Sequence, residues 1–149
     1  MNFISARDRE KDNELKISNY FAQAIKASGL FNVPCGYNPD YDFSVIRNDK
    51  TIYFEVKLDY KCKRTGNIYV ETGSANRNCD AGLMTTKADW VIYGIPHLNL
   101  LYVCRPYELL SYAEENGRFI PCAGDGSYGY AVPLAITGSL GRLYPFQFN

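Results

Sequence analysis

The chain has 149 residues, with sixteen Lys and Arg balanced by sixteen Asp and Glu, and thirteen Tyr among its aromatics. That length suits one domain, residues 1–149, with a real core, and the zero net charge excludes a global positive field, so any nucleic-acid surface must be local. The charged N-terminus MNFISARDREKDNELK has no apolar run behind it and no stretch elsewhere is apolar enough to span a membrane, so a cytoplasmic protein is expected.

From Ser5 to Ser28 the sequence predicts a helix, with Ser5 as its cap, Gly29 as its stop and Ile17, Phe21, Ala24 and Ile25 as its buried stripe. Glu14 lies one turn before Ile17 and Ser18 and continues that stripe, with Glu10 a turn earlier. Either Glu14 reaches inward or it is a solvated residue paired with Lys11 or Ser18. Leu30 to Tyr37, broken by Pro34 and Gly36, reads as a connection.

The clearest pattern follows, NPDYDFSVIRNDKTIYFEVKLD from Asn38 to Asp59. Ile52, Phe54, Val56 and Leu58 share one face of a period-two strand, and Tyr53, Glu55, Lys57 and Asp59 the other. Tyr41, Phe43 and Val45 share a face of the strand before it. Asn48-Asp49 between them tolerates the left-handed conformations of a two-residue hairpin loop. With that loop Val45 faces Ile52, Phe43 faces Phe54, and Asp42 comes opposite Glu55. Opposed carboxylates destabilise a strand pair unless something neutralises them. A hard divalent cation with oxygen ligands, Mg²⁺ above all, fits two acids that leave room for water and a phosphate. Lys57, two residues beyond Glu55 on the same face, is within reach of the same spot, to orient a nucleophilic water or to hold a phosphate oxygen. Alternating charge also marks ordinary solvated strands; the coincidence of both acids in a register set by apolar pairs distinguishes this one.

Asp59 to Asn67 reads as a polar loop whose Lys61, Lys63 and Arg64 would grip a phosphate backbone or else merely face solvent. Ile68 to Thr72 is a third strand; if it pairs with the second, Glu71 is a further acid on the metal side, and otherwise a surface residue. Gly73 to Asp80 is loop, with Asn76, Arg77 and Asn78 as possible DNA contacts, and Ala81 to Thr86 a short turn. Thr85, Thr86 and Lys87 precede a buried strand ending at Ile95. His97, the only histidine, lies in a turn before a strand over Leu100–Cys104, so catalysis by a Ser–His or Cys–His pair lacks a placed base. Pro106 opens a helix that Gly117 ends, with Leu109, Leu110 and Tyr112 as its core positions. Gly124 to Gly129 matches G-x-G-x-x-G but precedes Tyr130-Ala-Val-Pro133 rather than a helix, which rejects a dinucleotide site. The aromatic end Tyr144-Pro-Phe-Gln-Phe148 closes over the sheet or packs on another subunit. Five Cys, at 35, 62, 79, 104 and 122, have no C-x-x-C spacing, which argues against zinc and a disulfide framework and for reduced thiols.

Asp42 followed by Glu55-Val56-Lys57 on the next strand resembles the PD-(D/E)XK nucleases, with Pro39-Asp40 offering a literal PD as well. Asp42 is preferred because Asp40 sits before the strand. The likeness runs from the first helix to about Pro96, through GNIYVE at 66–71 and AGLMTTKADW at 81–90, segments similar to those of small stand-alone members, many of them phage-encoded. The resemblance implies an α/β fold with a restriction-endonuclease-like α/β/α core, a mixed central sheet flanked by helices over about residues 5–116, with 117–149 an extension of unknown role. It implies metal-dependent hydrolysis of DNA phosphodiesters in a bacterial or phage-infected cell. Asp42, Glu55, the Val56 carbonyl and Glu14 would hold Mg²⁺, or Mn²⁺ in its place, and Lys57 would assist hydrolysis. Lys61, Lys63, Arg64, Asn67, Thr86 and Lys87 would meet DNA. Some relatives carry an iron–sulfur cluster, which the cysteine spacing here does not support. The same residues suit a Holliday-junction-resolvase-type enzyme, which would be a homodimer, or a catalytically silent DNA-binding or assembly protein that keeps the fold.

Overall fold

Ser5 caps the first helix as its position predicts: its Oγ accepts from the Asp8 amide at 3.1 Å, and α1 spans Ala6–Ala24. The helix ends before the expected Ser28 because Lys26 turns left-handed (φ 54°). The chain then enters a strand, β1 (Gly29–Asn32), in residues read above as a connection. The computed structural model describes residues 5–32 and 40–148. Pro34, Cys35, Gly36 and Pro39, which entered the reading of the sequence, lie outside them.

The hairpin forms in the expected register. In β2 (Phe43–Arg47) and β3 (Lys50–Leu58), Phe43 faces Phe54, Val45 faces Ile52 and Arg47 faces Lys50. Asn48 and Asp49 both take positive φ, 51° and 61°, the double left-handed turn that matches strand twist. The Phe43 and Phe54 rings stack with centroids 4.7 Å apart and planes 5° from parallel, which helps pin the register at the open end of the hairpin. One detail differs: Asp42 lies just outside β2, and its amide donates to the Phe54 carbonyl (2.8 Å) instead of extending the ladder opposite Glu55.

β3 pairs in parallel with β6 (Trp90–Ile95), which pairs antiparallel with β7 (Leu100–Cys104). Beyond β7 lies β10 (Gly141–Pro145), completing a six-stranded mixed sheet in the order β1-β2-β3-β6-β7-β10. Period-two alternation divides the middle strands between two cores. Ile92, Leu101 and Val103 join Ile17 and Phe21 of α1 on one face. Val91, Tyr93, Tyr102 and Cys104 bury against the other side, where Leu109 and Ala113 of α3 (Pro106–Asn116) join Ile68, Val70 and Val132. The sheet is thus mixed, α/β and flanked by helices on both faces, as expected.

Three expectations change. The strand at Ile68–Thr72 is real, as β4 (Asn67–Ser74), but it does not pair with β3. It belongs to a second, four-stranded sheet in the order β5-β4-β9-β8, where β5 is Cys79–Asp80, β8 Arg118–Ile120 and β9 Ser127–Pro133. The supposed polar loop contains a short helix, α2 (Cys62–Thr65), because Asp59 is buried at 8% exposure and uses both oxygens, accepting from the Cys62 amide and the Tyr69 amide at 2.9 Å each. Residues 117–148 are woven into both sheets through β8, β9 and β10, and Phe146 and Phe148 bury in the α1 core. No helix among the described residues is long and apolar enough to cross a membrane.

Candidate functional site

Phe54 and Val56 turn toward α1, so Glu55 and Lys57 turn the other way, beside Val91 and Tyr93 on the face that meets the second sheet. There a cleft of about 570 Å³ brings Asp42, Glu55 and Lys57 together with Glu14 from α1 and Glu71 from β4. The acids that sequence reasoning placed on four separate elements therefore share one cavity. Glu71, read as an acid of the metal side if its strand paired with β3 and as a surface residue otherwise, reaches the cleft from a neighbouring sheet without that pairing.

Asp42 and Glu55 are each held by specific partners. Asp42 Oδ2 accepts from the Val56 amide at 2.7 Å, which ties the end of β2 to the strand that carries Glu55. The Lys57 ammonium lies 3.2 Å from Glu55 Oε1, and Thr86 Oγ1 lies 3.4 Å from Glu55 Oε2 and 3.2 Å from the Asp40 carbonyl. Asp40 pairs with Lys87 at 3.8 Å and does not line the cleft.

Burial raises the carboxyls of Asp42, Glu55 and Glu14. Burial raises the Asp42 carboxyl even though the Val56 amide and Lys57 oppose it. Burial raises Glu55 too; Lys57 pulls it down and Asp42 pushes it up. Glu14 is pushed from 4.5 to about 7, first by burial and then by the charges of Asp42, Glu10 and Glu55. Burial alone would lower the Lys57 ammonium, but Glu55, by charge and by hydrogen bond, holds it above its ordinary value, with Glu71 and Asp42 adding to the pull.

Among the described residues no three His, Cys, Asp or Glu side chains form a ready cage for a metal ion. The donor set instead suits Mg²⁺, which binds through one or two carboxylates and keeps several waters or substrate oxygens. Asp42 and Glu55 are the two carboxylates of the cleft that could serve in this way. Asp42 Oδ1 has no hydrogen bond among the described residues and is open to a further partner.

Of the residues expected to meet DNA, Thr86 touches Glu55, Lys87 pairs with Asp40 and does not line the cleft, and Lys61 borders an adjoining cavity. Lys63 and Arg64 are exposed on α2, and neither they nor Asn67 line either cavity. Arg77, named as a possible DNA contact, does line the cleft, as do Asp80 and Gly82, which the sequence did not single out. Asp80 belongs to a two-residue strand with no periodicity to find. Gly82 has φ +58°, and a Cβ there would stand 2.3 Å from the Glu71 carbonyl oxygen, so the turn after β5 packs backbone to backbone on β4 beside Glu71. The only available sequence signal was a glycine followed by apolar residues.

No protein-family model matches the chain, and no curated protein matches it either. Among solved structures it is similar to a bacterial homing endonuclease, with a TM-score of 0.51 and 22% identity over 74% of this chain and 72% of that one. At that identity the likeness is one of fold.

Proposed function

We propose that this protein is a metal-dependent nuclease of the PD-(D/E)XK type that hydrolyses DNA phosphodiester bonds in the cleft between its two sheets. The observation that carries the reading is the meeting of Asp42, Glu55 and Lys57 in one cavity, with the Lys57 ammonium 3.2 Å from Glu55. The fold shared with a homing endonuclease supports it.

In this mechanism Asp42 and Glu55 would hold Mg²⁺, with the Val56 carbonyl and Glu14 as further oxygen donors. The ion, when bound, acts as a Lewis acid toward the phosphate and lowers the pKa of its water. Lys57 orients the attacking water and stabilises the negative charge that develops on the phosphate oxygens. Thr86 steadies Glu55, and Arg77 supplies a second positive group to the cleft. The remaining acids are too many for two cations to balance, which is the charge deficit a divalent ion would fill.

The test is cleavage of plasmid, single-stranded and four-way-junction DNA in Mg²⁺ or Mn²⁺. Cutting by the parent protein, with loss of a thousandfold or more in Lys57→Ala and Glu55→Ala, is expected; these variants cutting as well as the parent would end the assignment. A marked preference for the junction would favour a resolvase. A parent protein that binds but never cuts would point to a silent relative.

A further inference from the structure

The acidic cleft is one of two that meet at Lys57 and Glu71. Beyond that shared pair lies a chamber of about 420 Å³ bordered by Tyr60, Lys61, Tyr69 and Asp125. The chemistry proposed above leaves it unused, and its volume falls in the range of roughly 300–1,000 Å³ typical of sites for small organic groups.

The donors and acceptors of its wall can be assigned by following the protons. Ser127 gives Asp125 Oδ1 both its amide (3.0 Å) and its hydroxyl proton (2.6 Å), which hold Asp125 below the usual carboxylate range and therefore ionised. A serine hydroxyl has one proton, so Ser127 Oγ can only accept from the Tyr69 hydroxyl 2.8 Å away. The Tyr69 proton is thereby committed, and its oxygen is left as an acceptor. The Tyr93 hydroxyl is spent as well, on the Tyr69 carbonyl at 3.1 Å. Asp125 Oδ2, Tyr69 Oη and the Glu71 carboxylate thus offer acceptors to whatever enters. Tyr60, 48% exposed, offers a ring face, and Lys61 stands next to it. Such a wall repels a phosphate and matches a flat group that carries N–H donors.

We infer that this chamber receives one nucleobase bearing an exocyclic amino group (adenine, cytosine or guanine) from the nucleotide beside the scissile phosphate. The base stacks on Tyr60, its amino group meets the acceptors of Tyr69 and Asp125, and Lys61 faces the adjoining phosphate. A base can enter only after leaving the duplex stack. The inference rests on the nuclease reading and adds to it that the substrate is unpaired or flipped at this position, with thymine disfavoured.

The test is fluorescence anisotropy of labelled single-stranded dA, dC and dT hexanucleotides with metal-free protein, alongside cleavage of the same strands in Mg²⁺. Binding of dA and dC about tenfold tighter than dT is expected. Tyr60→Ala should cost about tenfold on dA and dC, near the low end for loss of one base–aromatic stack. Asp125→Asn keeps the Oδ1 contacts, presents a donor where Oδ2 accepted, and should erase the discrimination against dT. If wild type cuts and Lys57→Ala does not, while Tyr60→Ala and Asp125→Asn leave affinity and base preference unchanged, the chamber assignment is overturned and the nuclease reading stands. If base-selective binding responds to both variants but no strand is cut, the chamber assignment is supported and the nuclease reading fails. Binding indifferent to base identity overturns the inference.

Discussion

Replacing Glu14 with Gln should stabilise the metal-free protein at pH 8 and leave it unchanged at pH 4. In the folded chain Glu14 titrates at about 7, raised from 4.5 by burial and by Asp42, Glu10 and Glu55. The unfolded chain releases that proton at the ordinary value, so between about 4.5 and 7 the folded state binds more protons than the unfolded one. Stability from this group is therefore intact below about 4.5 and falls as pH rises to about 7, after which the full cost is present. A shift from 4.5 to about 7 would be worth at most about 3.4 kcal/mol at 1.36 kcal/mol per tenfold. Glu14 is only partly buried, and solvent screening reduces the figure to about 1–2 kcal/mol. For a chain of this length that corresponds to roughly 3–6 °C in Tm. Urea denaturation of both proteins in EDTA at pH 4 and pH 8 measures it. A variant less stable than wild type at pH 8, or a difference that does not change with pH, would refute the crowded-carboxylate reasoning. Added Mg²⁺ should narrow the gap, because the ion supplies the positive charge that Gln makes unnecessary.

Two further substitutions test how the site is supported. Gly82→Ala places a Cβ against the Glu71 carbonyl in a left-handed backbone, and should lower stability by roughly 2–4 kcal/mol in urea denaturation; an unchanged midpoint would mean that this turn does not hold Glu71 in place. Asp59→Asn sets an NH₂ against one of two amide donors and should cost about 1–3 kcal/mol, with faster hydrogen exchange at the Tyr69 amide. Unaltered exchange there would contradict the role assigned to Asp59.

What the sequence could reveal depended on whether the signal was local. The β2–β3 hairpin was legible because period-two alternation and an Asn-Asp turn fix register within a few residues, and Phe43 met Phe54 as expected. Helix α3 and strand β7 carried their own punctuation in Pro106, Gly117 and the turn at His97–Asn99. The partner of β4 was not legible, since alternation marks Ile68 and Val70 as one buried face without saying which strand lies alongside. Strand β10 was hidden by Gly141 and Pro145, residues that an edge strand tolerates and a central one does not. The inward reach of Glu14 showed in its spacing from Ile17, while Asp80 and Gly82 enter the cleft through tertiary packing that no periodicity records. Lys63 and Arg64 were read as part of a loop because the basic run carries no helical period, whereas Asp59 folds it into a helical turn.

The central claim is that Asp42 and Glu55 are set to trap a divalent ion beside Lys57, and calorimetric titration of Mn²⁺ tests it most directly. Wild-type protein should bind the ion with release of protons near pH 7, while Asp42→Asn and Glu55→Gln, each still folded, should lose that binding. Equal Mn²⁺ affinity in wild type and both variants would contradict the account.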